Sequence, residues 1–277
     1  MLYIFLSIIT IAVLAIASYT DLKTREVPDW ISYGFLFSVI GIRAIFAIRD
    51  GVDVLITGIL GLIVGALLGM LFYYSHQWGG ADTKLLMGVG TVIGITFPFT
   101  DRSYTFFFFL LALLFLGAIY SLLWMGYQAY HDRKKFMKVA TKLLRRWRLL
   151  YYASFAMSGI FVVGGFYVSH LWPFVAFPLG IFFLLLFVNA VEEYKFYKTI
   201  DVKHLTEGDW LAGPVRHEGK TIISSRTVDR SDIIRLKRNG IKQVKVKEGI
   251  PFIPSFLLGY IFILFGAPVI KWLLSLI

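Results

Sequence analysis

Two aspartates, Asp21 and Asp82, are the residues whose type and setting could do chemistry. Two carboxyls a few ångströms apart cannot both ionise readily, so one keeps a proton while the other stays charged. Such a pair supplies a general acid and a general base that can turn water on a peptide carbonyl, and it titrates as a unit, so neither aspartate is singled out as the proton carrier. Asp82 follows Gly79, Gly80 and Ala81, small residues that let a backbone approach closely, whether a neighbouring helix or an extended substrate strand. Asp21 is followed by Lys23, Arg25, Glu26, Val27, Pro28 and Asp29, with Pro28 suited to the start of the next helix. Taken singly, either aspartate also reads as a solvated helix-end residue, favoured at an N-terminus by the helix dipole.

Other chemistries have less support. The chain has no cysteine, which removes disulfides, thiolate catalysis, Cys-ligated zinc and iron-sulfur clusters. His76 lies near Asp82 and could tune it, but a histidine at a membrane interface is more often structural. His131, His170, His204 and His217 have no metal-ligand spacing, so no metal and no cofactor are expected. No serine or lysine can be matched to a base.

The elements that must hold the aspartates are membrane helices. Of 277 residues, 58% are hydrophobic and only 16% charged. The net charge of +11 is confined to segments between apolar runs, which argues against nucleic acid and for anionic lipid as the counter-charge. Apolar stretches long enough to cross lipid fall near 2–20, 30–48, 53–75, 83–99, 104–129, 149–171, 174–191 and 254–276. The break at His170–Pro173 reads as a tight external turn or a re-entrant bend, so six to eight transmembrane helices are expected. The first stretch lacks a basic start and a cleavage site and is read as a retained span. Trp30, Trp78, Trp172 and Trp210 read as interfacial anchors.

Lysine and arginine concentrate in the loop 131–148 and recur as Lys23 and Arg25 in the first loop, which places both in the cytoplasm. The opposite loops carry little beyond Arg49 and Arg102. Both aspartates then lie at the cytoplasmic boundary, where an ionisable residue is a functional candidate. The expected organisation is a transmembrane core 1–130 with both aspartates, a basic cytoplasmic loop 131–148, a hydrophobic helix pair 149–191, a small cytoplasmic α/β module 192–252 and a final transmembrane helix 253–277. In the module, Thr227–Leu236 reads as a capped amphipathic helix, Asn239-Gly240 as its stop and Ile241–Val246 as a strand. The fold class is an all-α polytopic membrane protein carrying that module.

The segment Ser18-Tyr19-Thr20-Asp21-Leu22-Lys23-Thr24-Arg25-Glu26-Val27-Pro28-Asp29 resembles the first active-site segment of type IV prepilin peptidases, and Gly79-Gly80-Ala81-Asp82-Thr83-Lys84 resembles their second, the GxGD motif of membrane aspartyl proteases. The stretch Thr227–Leu236 and the run Val246–Phe252 are similar to the archaeal branch that includes preflagellin peptidases. The bacterial cysteine-bearing loop is missing, which fits that branch and argues against methyl transfer. Ala81 departs from the motif's second glycine. The resemblance implies an aspartic endopeptidase of the cell membrane that removes a short basic leader from preflagellins or type IV prepilin-like proteins at the cytoplasmic face. Asp21 and Asp82 would be catalytic, and Gly79, Gly80 and Ala81 would receive the substrate backbone. Glu26, Asp29, Glu192 and Glu193 are acidic candidates for holding the leader. The alternatives are an ion-coupled transporter with paired aspartates, which would favour acids nearer mid-membrane, and a noncatalytic anchor, which leaves both motifs unexplained.

Overall fold

The computed structural model describes residues 1–75, 77–99, 101–217, 219–225 and 227–266, without the side chains of 101 and 102. His76, the side chain of Arg102 and the end of the expected last span, 267–276, lie outside the described residues. In chain order the helices are α1 (Leu2–Thr24), α2 (Asp29–Asp50), α3 (Asp53–Tyr74), α4 (Gly80–Ile93), α5 (Asp101–His131), α6 (Arg133–Arg146), α7 (Arg148–Tyr167), α8 (Phe177–Val191), α9 (Arg230–Arg238) and α10 (Ile253–Phe265). Among the described residues four short strands are β1 (Tyr197–Asp201), β2 (Val215–His217), β3 (Lys220–Ile223) and β4 (Gln243–Lys247).

Among the described residues, six segments are long and apolar enough to cross a membrane: α1, α2, α3, most of α5, α7, and 169–196 including α8. The chain is a multi-pass membrane protein. The expected span 83–99 is instead the 14-residue α4. Gly94 stops it, at φ 75°, a conformation L side chains rarely adopt. The break at His170–Pro173 is a six-residue 3₁₀ turn, Ser169–Phe174, that folds α7 back onto α8. The expected loop 131–148 is mostly helix. Along α6, Phe136, Val139, Ala140 and Leu143 repeat at helical spacing and pack on Phe182, Leu186 and Ala190 of α8.

The chain divides into two compact units, 1–121 with 249–277, and 122–248. In the first, α1 packs on α2, α4 and α10, and α3 packs on α2 and α4. The α3/α4 seam is made of backbone. A Cβ added at Gly61 would stand 2.0 Å from the Gly90 carbonyl oxygen, and one at Gly65 would stand 2.9 Å from that of Leu86. Gly61, Gly65 and Gly69 recur at four-residue spacing, so one stripe of α3 carries no side chains. At the far end of this unit the side chain of Arg43 is fully buried. It donates to the carbonyls of Val54 and Val92 and to the Thr57 hydroxyl, satisfying a carbonyl in the last turn of α4.

In the second unit, β1 pairs antiparallel with β4 and β2 with β3. Val202, Leu205, Leu211, Ile223, Val228, Leu236, Val244 and Val246 form a small core there. Helix α9 starts on the reciprocal cap expected of its sequence: the Asp229 carboxylate accepts from the Asp232 N–H at 2.8 Å, and that of Asp232 accepts from the Asp229 N–H at 3.3 Å. Asn239 closes α9, and Gly240 turns at φ 68° before β4.

Candidate active site

Four helix ends meet in the first unit: the C-terminus of α1 and the N-termini of α2, α4 and α10. Apolar spacing along α1 buries Leu6, Thr10, Leu14, Ala17 and Ser18 on one face, and Asp21 continues that face at the helix end. Asp21 is therefore buried, with 8% of its surface exposed. Its Oδ2 accepts the N–H of Ile253 at 3.0 Å, so the positive end of α10 faces the carboxylate. Arg25, one turn on, ends α1 in the left-handed conformation at φ 63°. The Arg25 guanidinium donates to the Gly249 carbonyl at 3.3 Å. The strap 249–253 is thus tied to the end of α1 at two points.

Asp82 is held by its own neighbours. Gly79 is extended and caps α4, and its N–H donates to Asp82 Oδ2 at 2.9 Å. Thr83 bonds back to the Gly69 and Gly79 carbonyls, both at 3.2 Å, fixing the start of α4 to the end of α3. Lys84 pairs with Asp29 at 2.6 Å and lies over the Tyr33 ring, fixing it to α2. Asp82 is half-buried. It lies close enough to Asp21 for the two charges to interact. Two acids within range of each other's charge can divide the roles of general acid and general base.

The remaining expected residues separate in their surroundings. The space beside Gly80 is open, and a Cβ on Gly79 would touch only Asp82 at an ordinary 3.4 Å. Neither glycine is required by the packing of the helices. Ala81 instead turns its methyl toward the core. Asp29 is engaged by Lys84, and Glu26 is exposed beside it on the connection between α1 and α2. Glu192 and Glu193 lie in the second unit, where they pair with Lys247 and Lys142. Among the described residues no group of three or more His, Cys, Asp or Glu could hold a metal. Trp78 is no interfacial anchor: it is buried and stacked on Phe72 at 4.4 Å, because the turn after α3 folds it inward against Phe252 and Phe256. Trp30 is exposed.

Three features escape a reading of the sequence for acids. Ile253 contributes a backbone N–H, which leaves no trace in side-chain identity. Arg43 stands alone in an apolar run, and that isolation was its signal. Tyr120, on α5, lies within electrostatic range of both Asp21 and Arg25.

Residues 8–122 match the model of the type IV leader peptidase family. No curated protein and no solved structure matches the chain.

Proposed function

From the premise that the matched part of the chain, residues 8–122, belongs to the type IV leader peptidase family and that the protein is a protease of that kind, we propose an aspartic mechanism carried by Asp21 and Asp82. The observation that carries this reading is the meeting of the two aspartates, 61 positions apart in the sequence, at one end of one helical unit within range of each other's charge. One carboxylate accepts a proton from water as the water oxygen adds to the scissile carbonyl carbon, and the other carboxyl donates its proton to the carbonyl oxygen. The tetrahedral diol then collapses: the carboxyl that took the water proton passes it to the leaving nitrogen, a diol hydroxyl gives its proton to the other carboxylate as the C=O re-forms, the C–N bond breaks, and the pair again holds one proton. No covalent enzyme intermediate forms. The open space at Gly79 and Gly80 receives the extended substrate backbone.

The substrates are preflagellins or type IV prepilin-like proteins with a short basic leader, cut at the cytoplasmic face of the cell membrane. The basic residues of 131–148 and of the loop after α1 support that orientation. Glu26 and Asp29 are exposed acids beside the site for a basic leader, Asp29 with one carboxylate oxygen already engaged by Lys84.

The test is cleavage of a leader-bearing substrate by membranes containing the parent protein, Asp21→Asn or Asp82→Asn. Asparagine keeps the shape and removes the acid, so each variant should fold and lose activity by about a thousandfold or more. Normal cutting by either variant removes that aspartate from the mechanism. Failure of the parent protein to cut any leader-bearing substrate overturns the substrate assignment.

A further inference from the structure

Helix α5 approaches α10 through small residues: Leu113 backbone atoms lie against Gly259, and a Cβ on Gly117 would press on the Phe252 ring at 2.8 Å and on Ser255 at 3.3 Å. Tyr120 is one turn beyond Gly117 and on the same face. Phe252 immediately precedes Ile253, whose N–H holds Asp21. This register carries the Tyr120 side chain to the Asp21 end of the helix cluster, within range of the charges of Asp21 and Arg25. Its hydroxyl is buried and has no hydrogen-bond partner among the described residues. A buried hydroxyl without a partner weakens a fold, and its presence calls for a reason. The family match ends at residue 122, just past this tyrosine, and assigns it nothing.

We infer that Tyr120 is a further catalytic residue, its phenol O–H donating a hydrogen bond to the scissile carbonyl oxygen as negative charge develops there. A neutral phenol keeps its proton near neutral pH and is an effective donor. Substrate entry opens the packing over the buried hydroxyl, and the donor then bonds more strongly to the charged transition state than to the ground-state carbonyl. The group is left unsatisfied in the resting protein because its partner belongs to the substrate. This inference rests on the reading of Asp21 as catalytic.

The experiment compares the parent protein with Tyr120→Phe and Asp21→Asn, measuring kcat, KM and thermal unfolding of the full chain in the same detergent. Removing an unpartnered hydroxyl should leave the unfolding temperature unchanged or raise it. It should lower kcat by roughly tenfold to a hundredfold with KM changed less than about twofold. A kcat within about twofold of the parent overturns the inference, as does a rise in KM alone. A fall in stability overturns it too, because the hydroxyl would then be holding the fold. An inactive Asp21→Asn beside a fully active Tyr120→Phe fails Tyr120 alone, whereas an active Asp21→Asn fails both readings.

Discussion

The α3/α4 seam and the core of the second unit solve the same problem, holding elements together, by opposite means. In the seam the contact is backbone on backbone, with Gly61 and Gly90 each facing the other's carbonyl oxygen. In the polar module the contact is aliphatic side chains around Leu236 and Val246. The difference follows from the solvent. Lipid tails are as apolar as leucine, so burying a side chain between membrane helices gains little and close approach gains most. Water drives apolar side chains together. The candidate active-site motif is built on the seam: Thr83 of α4 rests on Gly69 of α3, and Asp82 is its neighbour.

The contrast can be broken most severely at the seam. Gly61→Leu forces a side chain into a gap that does not admit even a methyl group. It should separate α3 from α4, displace Asp82 and abolish peptidase activity together with most of the folded yield, seen by size-exclusion chromatography in detergent. In the module the damaging change is the reverse, large to small. Leu236→Ala should destabilise the module by about 3 kcal/mol, read as faster amide hydrogen exchange in β4. Equal tolerance of both substitutions would mean that the two regions are held by the same forces.

Arg43→Met sharpens the comparison by asking what polar groups contribute inside the apolar unit. The variant leaves the Val54 and Val92 carbonyls without their guanidinium donor, and a loss of about 2 kcal/mol is expected in unfolding experiments. The smallest effect is a pH effect in the module. The Ser231 side chain and the Asp232 N–H both donate to Asp229 and hold its carboxyl below the usual carboxylate range. A depressed folded value means that the cap's stabilisation is complete above the ordinary value, about pH 4, and is lost as pH falls through the lower folded value. Fraying of α9 should therefore rise at acid pH, and in Asp229→Ala it should already be high at neutral pH and vary little with pH. Hydrogen exchange of the Asp232 and Ile233 amides would reveal it.

Several of these features can be read from residue order alone, because they are local. The apolar runs that become α1, α2, α3, α5 and α7 are set by the length needed to cross lipid. Asp229 with Asp232 marks the start of α9, and Asn239-Gly240 its end. The glycines before Asp82 mark the start of α4, although the helix ends early at Gly94, a stop that apolar composition does not reveal. The α3 glycine stripe is written in plain four-residue spacing, but its partner on α4 is not.

Which aspartate neighbours belong to other parts of the chain was decided only by tertiary packing. Asp82 takes its hydrogen bond from Gly79, three residues away, and so its surroundings follow from its own motif. Asp21 takes its bond from Ile253, 232 residues away, through a backbone N–H that every residue except proline possesses. No side-chain pattern encodes such a contact. It exists because α10 packs on α1 with its positive end at the buried carboxylate, and the same packing, through Gly117, brings Tyr120 to the site. The sequence determined the chemistry of the acids, and the packing of α5 and α10 decided what surrounds them.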